Sequence, residues 1–265
     1  MEHSVDSTVD QSDEPTMGGS QQAVADDNPV TMSRQLLEGV RREQPVTPHQ
    51  NAIAALDEAD LEPVRTDRAT ALAFWLNVYN ASVQLLLEDR PELFESHRQF
   101  FGTDAVTVAG IDLSLDGIEH GILRGNRSKY GLGYLPRLTT TGLGAAYRLE
   151  VDPRVHFALN CGAASCPAVL AYEPATVDQT LDDATRSHLT QTVNYDETTG
   201  HVRVPRLCLW YLGDFSGPSG ILSLLEEYGQ LPAGASPPRR ALRFDSYDWS
   251  KAPRKFADES RTELN

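Results

Sequence analysis

Residues 69–90, ATALAFWLNVYNASVQLLLEDR, limit the fold more than any other stretch. Asp67 stands where an N-cap belongs and Pro91 follows the last turn, so the pattern predicts one long helix. That helix is apolar on nearly every side. Such a helix cannot lie on a surface; it has to be the central element, with the rest of the chain packed round it. Asn77 and Asn80 sit three residues apart and therefore share a face. Buried amides need partners. Either these two tie down neighbouring loops, or they line a pocket and orient a reacting group.

The 265 residues suit one fairly large domain whose core needs no staples. Three cysteines do not make a disulfide framework. The formal net charge is −15, and Lys129, Lys251 and Lys255 are the only lysines. An acidic, lysine-poor surface is what a salt-rich, halophilic cytoplasm favours, because carboxylates hold water and salt screens their repulsion. Ordinary acidic solubility is the alternative. No basic patch stands out to neutralise phosphates, which argues against nucleic acid as a partner. No apolar run approaches the ~20 residues of a membrane span, and the polar, acidic start is unlike a signal peptide. These features point to a cytoplasmic protein whose partner is a small molecule or peptide. They imply no membrane contact and no cofactor.

Residues 1–30 are rich in Asp, Ser, Gln and Gly and are expected to be disordered. Residues 31–252 are expected to form one globular domain, and 253–265 a frayed tail. Amphipathic helices are expected over 32–42 and from Thr47-Pro48 onward. After the central helix, residues 105–113 read as a small hairpin. Ser114 can cap LDGIEHGILR, whose Leu115, Ile118 and Ile122 form an apolar stripe. Asp116, His120 and Arg124 fall at successive i, i+4 steps, which sets an imidazole between a carboxylate and a guanidinium. Glu119 borders the stripe, and if buried there it must be paired or protonated. Residues 125–144 read as an irregular flap.

DPRVHFALN then reads as a strand with His156 and Asn160 on one face near its C-terminal end. Cys161 to Cys166 close a loop of small residues whose amides can approach a ligand. A helical turn opening at Pro167 would favour thiolate at Cys166, while two simply packed thiols would give the same sequence. Thr176 to Gln179 match a capping box that opens a helix to about Leu189. A hairpin over 191–205, a buried short helix or turn at LCLWYLGDF, a helix over 219–228 and a last strand or clamp in ALRFDSYDWS complete the chain.

FWLNVYNA at 74–81, IEHGILR at 118–124, DPRVHFALNCGAASCPAVLAY at 152–172, WYLGDF at 210–215 and YDWS at 247–250 together resemble the family catalogued as domain of unknown function 547. The likeness covers roughly residues 66–250 and implies no settled activity. The residues leave several functions open. One is a thiol-dependent hydrolase or acyltransferase, with Cys166 or Cys161 as nucleophile, His120 or His156 as base, and Glu119 or an asparagine as orienter. Amides of the 162–166 loop would hold the oxyanion, and Asn77, Asn80, Arg124 and Asn160 would serve binding. A second is a non-catalytic binding or scaffold domain in which the same groups fix the fold. A third is a metal site using Cys161, Cys166, His156 and His120, at a C-x4-C spacing wider than ordinary zinc knuckles. A redox role for the cysteine pair is the last. The expected fold is α+β, a mainly helical single domain with a small mixed or antiparallel sheet. Papain- and transglutaminase-like arrangements are among those it would fit. A cleft is expected where 74–81, 113–124 and 156–166 meet.

Overall fold

A computed structural model describes residues 1, 28–138, 143 and 145–257. Of residues 1–30, expected to be disordered, 2–27 lie outside the described residues, as do 258–265; the expectation is corrected at Asn28–Val30, where Asn28 caps the first helix and Pro29 and Val30 are its buried first residues. Three helices, α1 (Pro29–Arg41), α2 (Thr47–Ala54) and α3 (Glu62–Thr66), lead into α4 (Arg68–Asp89). α4 is the predicted central helix. The Asp67 carboxylate accepts from Thr70 N at 2.7 Å and so satisfies one of the helix's free N-terminal donors. Every residue from Ala71 to Gln84 is buried, which is why the stretch has no polar face. α1 packs on α4 and adds Leu36, Leu37 and Val40 to the same core. Each side chain of the size of Leu or Phe buried there contributes about 1.5–3 kcal/mol.

The two α4 amides act as anchors for distant chain. Asn77 donates to Tyr172 O and accepts from Tyr172 N, both at 2.9 Å. Asn80 donates to Ala158 O at 3.1 Å and accepts from Asn160 N at 3.0 Å. Each amide therefore pins irregular chain against the central helix by pairing one main-chain donor and one main-chain acceptor.

After α4, α5 (His97–Gly102) leads to the antiparallel hairpin of β1 (Asp104–Val108) and β2 (Ile111–Ser114). Ala109 and Gly110 turn it with φ of 49° and 71°, the left-handed pair that a two-residue hairpin loop requires. A π-helical segment follows at Gly117–Leu123, with Gly117 N donating to Ser114 Oγ at 3.1 Å. α6 (Val177–Thr192) precedes β3 (Asn194–Asp196) and β4 (His201–Val204), which pair antiparallel. α7 (Leu207–Trp210) and α8 (Gly217–Glu227) follow, and β5 (Leu242–Phe244) joins β4 in parallel. The result is the expected mainly helical α+β fold, with a two-stranded sheet and a mixed three-stranded one. No described helix is long and apolar enough to cross a membrane.

Three local expectations are corrected. The strand expected over 153–160 is a 3-10 turn, Pro153–Phe157, capped by Asp152, whose carboxylate accepts from Arg154 N at 3.0 Å. The cause is burial on two sides: Val155 belongs to the core around α4, while Phe157 belongs to a second core with Val204, Cys208 and Leu225. A strand would turn both residues to one face. No helix opens at Pro167, so Cys166 has no helix dipole behind it. α6 begins where expected, but Thr176 makes no side-chain cap bond and the Gln179 amide reaches forward to Asp183 at 3.1 Å.

Beyond β5 the chain runs as an extended strap across the Cys161–Cys166 loop. Ala164 N donates to Ser250 O at 2.9 Å, Ala252 N to Gly162 O at 2.8 Å, and Val169 N to Lys255 O at 2.7 Å. Arg254 N reaches Gln84 on α4 at 2.6 Å. Residues 253–257, expected to be frayed, thus lie against the core.

Candidate functional site

The π-helical segment carries the first half of the site. Its i→i+5 bond, Arg124 N to Glu119 O at 2.8 Å, marks the wider turn. Ile118 and Ile122 stay in the core, while Glu119 and His120, nearly buried, face a pocket of about 370 Å³. The ladder read from sequence is present. His120 Nε2 lies 3.4 Å from Asp116 Oδ1, and His120 Nδ1 lies 2.8 Å from Arg124 Nη1. His120 Nδ1 also lies 3.4 Å from Glu119 Oε1, but a guanidinium only donates, and the closer Arg124 contact assigns Nδ1 as the acceptor and the ring proton to Nε2, toward Asp116. Lys129 pairs with the other Asp116 oxygen.

The second half is built on Asp214, which follows α7. Its side chain and that of Arg124 are both 0% exposed. Asp214 Oδ2 accepts from Arg124 Nε at 2.6 Å and lies 2.9 Å from His156 Nε2; Oδ1 accepts from Arg127 at 3.0 Å. Burial pushes the Asp214 carboxyl up, but the His156 and Arg124 bonds outweigh it and hold it well below the usual carboxylate range. As a carboxylate it can only accept, so His156 donates from Nε2 and keeps its lone pair on Nδ1. Burial also pulls the His156 pKa down, against the pull of Asp214. Arg124 and Asp214 thus form a hidden bracket that sets opposite tautomers on two imidazoles of one pocket.

Tyr211 packs between these groups. Its ring stacks on His156 at 4.0 Å between centroids and lies 4.3 Å beneath the Arg124 guanidinium. Its hydroxyl donates to Glu119 Oε1 at 2.7 Å, and Tyr79 donates to Oε2 at 3.2 Å. Burial raises the Glu119 carboxyl, but His120, Arg124 and the Tyr211 hydroxyl reverse the shift and hold it below its ordinary value. Burial and the Glu119 charge in turn push both phenols well above theirs, so they remain donors. The opposite wall is aromatic: Trp210 stacks on Trp249 at 5.7 Å and meets Tyr247 at 4.8 Å.

Cys161 and Cys166 are joined as a disulfide. Neither is a free thiol in this state, and both sulfurs lie against the Tyr247 hydroxyl, at 3.1 and 3.2 Å. Among the described residues, no sulfur–imidazole hydrogen bond assembles the expected thiol–histidine pair. Cys161 faces the pocket and Cys166 lies behind it.

The structure therefore brings Glu119, His120, His156 and Cys161 to one pocket wall. Arg124 stands behind that wall and holds it. Asn77, Asn80 and Asn160 are elsewhere, committed to main-chain partners; Asn160 donates to Pro167 O at 2.7 Å and accepts from Gly162 N at 2.8 Å. Among the described residues no group of three or more His, Cys, Asp or Glu could hold a metal ion, so the four expected ligands do not assemble. Sequence reasoning did not single out Asp214, Tyr211, Tyr79 and Tyr247 as site residues. The available signal was a lone carboxylate inside the apolar run LCLWYLGDF, which has to find a partner if buried.

The model of the family described as "Protein of unknown function, DUF547" matches residues 63–189. The chain resembles that family over a span that holds α4, the π-helical segment, His156 and both loop cysteines. Asp214, Tyr211 and the aromatic wall at 210 and 247–249 lie beyond it. No curated protein and no solved structure matches the chain.

Proposed function

We propose that this chain, which resembles a family of unknown function over residues 63–189, is a hydrolase acting on a small carbonyl compound by general acid–base catalysis, with water rather than a thiol as nucleophile. One observation carries this reading: the Arg124–Asp214 bracket gives His156 a lone pair at Nδ1 and His120 a proton at Nε2, on the same pocket. His156 takes a proton from water as the oxygen adds to the carbonyl carbon, with Asp214 orienting the ring and balancing the imidazolium, which then returns the proton to the departing group as its bond to that carbon breaks. The His120 Nε2–H, held loosely by Asp116 at 3.4 Å, is shared with the carbonyl oxygen as that oxygen gains charge. The apolar or planar part of the substrate rests on Trp210 and Trp249. The paired cysteines leave no pocket thiol to act as nucleophile.

Hydrolysis of p-nitrophenyl esters by the oxidised chain, without reductant, tests this. Turnover is expected, and His156→Gln and His120→Gln should each lower kcat/KM by about 10²-fold or more in chains that circular dichroism shows to be folded. Turnover that appears only after reduction would restore the thiol reading. Saturable quenching of tryptophan fluorescence by the esters with no turnover would favour a binding domain.

A further inference from the structure

The Cys161–Cys166 disulfide is asymmetric. Cys161 is half-buried and lines the pocket, whereas Cys166 is 1% exposed and sits behind it. One donor is asymmetric as well: the Cys161 main-chain N–H donates to Cys166 Sγ at 3.0 Å, while the Tyr247 hydroxyl reaches both sulfurs, 3.1 Å from Cys161 and 3.2 Å from Cys166. A sulfur leaving a disulfide becomes a thiolate; the amide aimed at Cys166 eases its departure, and the Tyr247 hydroxyl, shared by the two sulfurs in the disulfide, is free to turn to the one released. Burial holds the Tyr247 phenol above its ordinary range, so it stays a donor at neutral pH. Lys255 Nζ, bonded to the main-chain oxygens of Ala164 and Cys166, adds positive charge beside the loop.

We propose that this disulfide is a working redox centre that exchanges with a small thiol in the pocket, Cys161 being the sulfur attacked and Cys166 the sulfur released. A thiolate forms a bond to Cys161 Sγ as the Cys161–Cys166 bond breaks, and that bond's electron pair stays on Cys166 Sγ. The proton lost by the incoming thiol replaces it there. A second thiol, or the second sulfur of a dithiol, then attacks the small-molecule sulfur of the mixed disulfide, and Cys161 departs with the second electron pair. Two thiols are oxidised to one disulfide, and the protein gains two thiols; run backward, the reduced chain reduces a small disulfide. The substrate class is a low-molecular-weight thiol or dithiol whose body fits against Trp210 and Tyr247. A purely structural staple under the strap needs neither a pocket-facing sulfur nor donors on the hidden one. This activity does not depend on the hydrolase reading.

The test uses the reduced full chain in a Cys208→Ala background, because Cys208 is a buried free cysteine, with the aromatic disulfide 5,5′-dithiobis(2-nitrobenzoate) as probe. The chain with both loop cysteines should release two thionitrobenzoate ions and end with no adduct. Cys166→Ser should release one and keep the adduct on Cys161 by mass spectrometry. Cys161→Ser should react about tenfold more slowly or less, since its thiol is hidden. Tyr247→Phe should slow reduction of the oxidised chain by dithiothreitol about tenfold, the cost of one hydrogen bond to a charged atom. Equal reactivity of the two single-cysteine chains, or an oxidised chain that resists dithiothreitol until urea unfolds it, overturns the proposal.

Discussion

Replacing Asp214 with Asn removes the charge that holds the site together while nearly preserving its shape. The carboxylate and the Arg124 guanidinium are both wholly shielded, 2.6 Å apart. Two unit charges about 4 Å apart interact by about 4 kcal/mol at an effective dielectric of about 20. Breaking such a pair from one side typically costs about 3–5 kcal/mol, because the remaining ion stays buried without a counter-charge. Asn also has one acceptor oxygen where the carboxylate has two, and Asp214 faces Arg124, His156 and Arg127. The best fit turns the amide oxygen to Arg124 and His156 and loses Arg127. The Tyr211 ring beside Arg124 offsets part of the loss. At about 2–4 °C per kcal/mol for a domain this size, Tm should fall by about 6–20 °C. The linkage sign follows from the lowered folded pKa. Asp214 stabilises the fold above its unfolded value of about 3.9, and that stability is lost as pH falls through the folded value. Urea unfolding at pH 7 and pH 2 should therefore show a large deficit for the variant that narrows in acid. A deficit under about 1 kcal/mol at pH 7, or one that does not change with pH, would refute the buried-bracket account. So would a failure of Arg124→Met to recover stability in the Asp214→Leu background, where no charge remains unpaired.

Three further outcomes are expected. Asn80→Ala leaves Ala158 O and Asn160 N buried without partners, and urea unfolding should register a loss of about 2–6 kcal/mol; a loss under about 1 kcal/mol would mean water replaces the amide. His188 is held from its ordinary 6.5 down to about 4, chiefly by burial. It therefore contributes about 3 kcal/mol that is present above pH 6.5 and lost as pH falls toward 4. His188→Gln should flatten the stability profile across that window, and an unchanged slope would place the titration elsewhere. With a formal net charge of −15, raising KCl from about 0.1 to 1 M, which shortens the screening length from about 10 to 3 Å, should raise Tm; a fall would show that the surface ion pairs outweigh the net repulsion.

What could be read from the chain was whatever depends on neighbours in sequence. α4 is legible because its burial on all sides is written in its own residues, and Asp67 marks its start. The Asp116–His120–Arg124 ladder is legible because residues four apart meet on one helical surface. The turn at 153–157 was misread as a strand because alternation suits both a sheet face and a short turn wedged between two cores, and only the second core reveals which applies. Asp214 stayed hidden because its partner, Arg124, is 90 residues away. No spacing rule links WYLGDF to IEHGILR. The cysteine pair was visible, but a bond across a loop of small residues is set by the strap that folds back from residues 248–257.

The π-helical segment explains why the ladder could be read correctly from a helix that is not an α-helix. In an α-helix, adjacent residues diverge by about 100°, and with Ile118 and Ile122 fixed in the core, Glu119 and His120 would be carried to different surroundings. The wider turn reduces that divergence, so both side chains open on one pocket while the isoleucines stay inside. One carbonyl of this irregular turn is met twice: Ile122 O accepts from Leu149 N at 3.0 Å and from Gly125 N at 3.1 Å. Such a turn is held only if groups beyond the helix fix both its ends. Ser114 does so at the start, and at the finish Arg124 is clamped by Asp214. The same buried ion pair that orients the two imidazoles thus also holds the backbone that presents Glu119 and His120, and a change at Asp214 reaches the pocket and the fold through one contact.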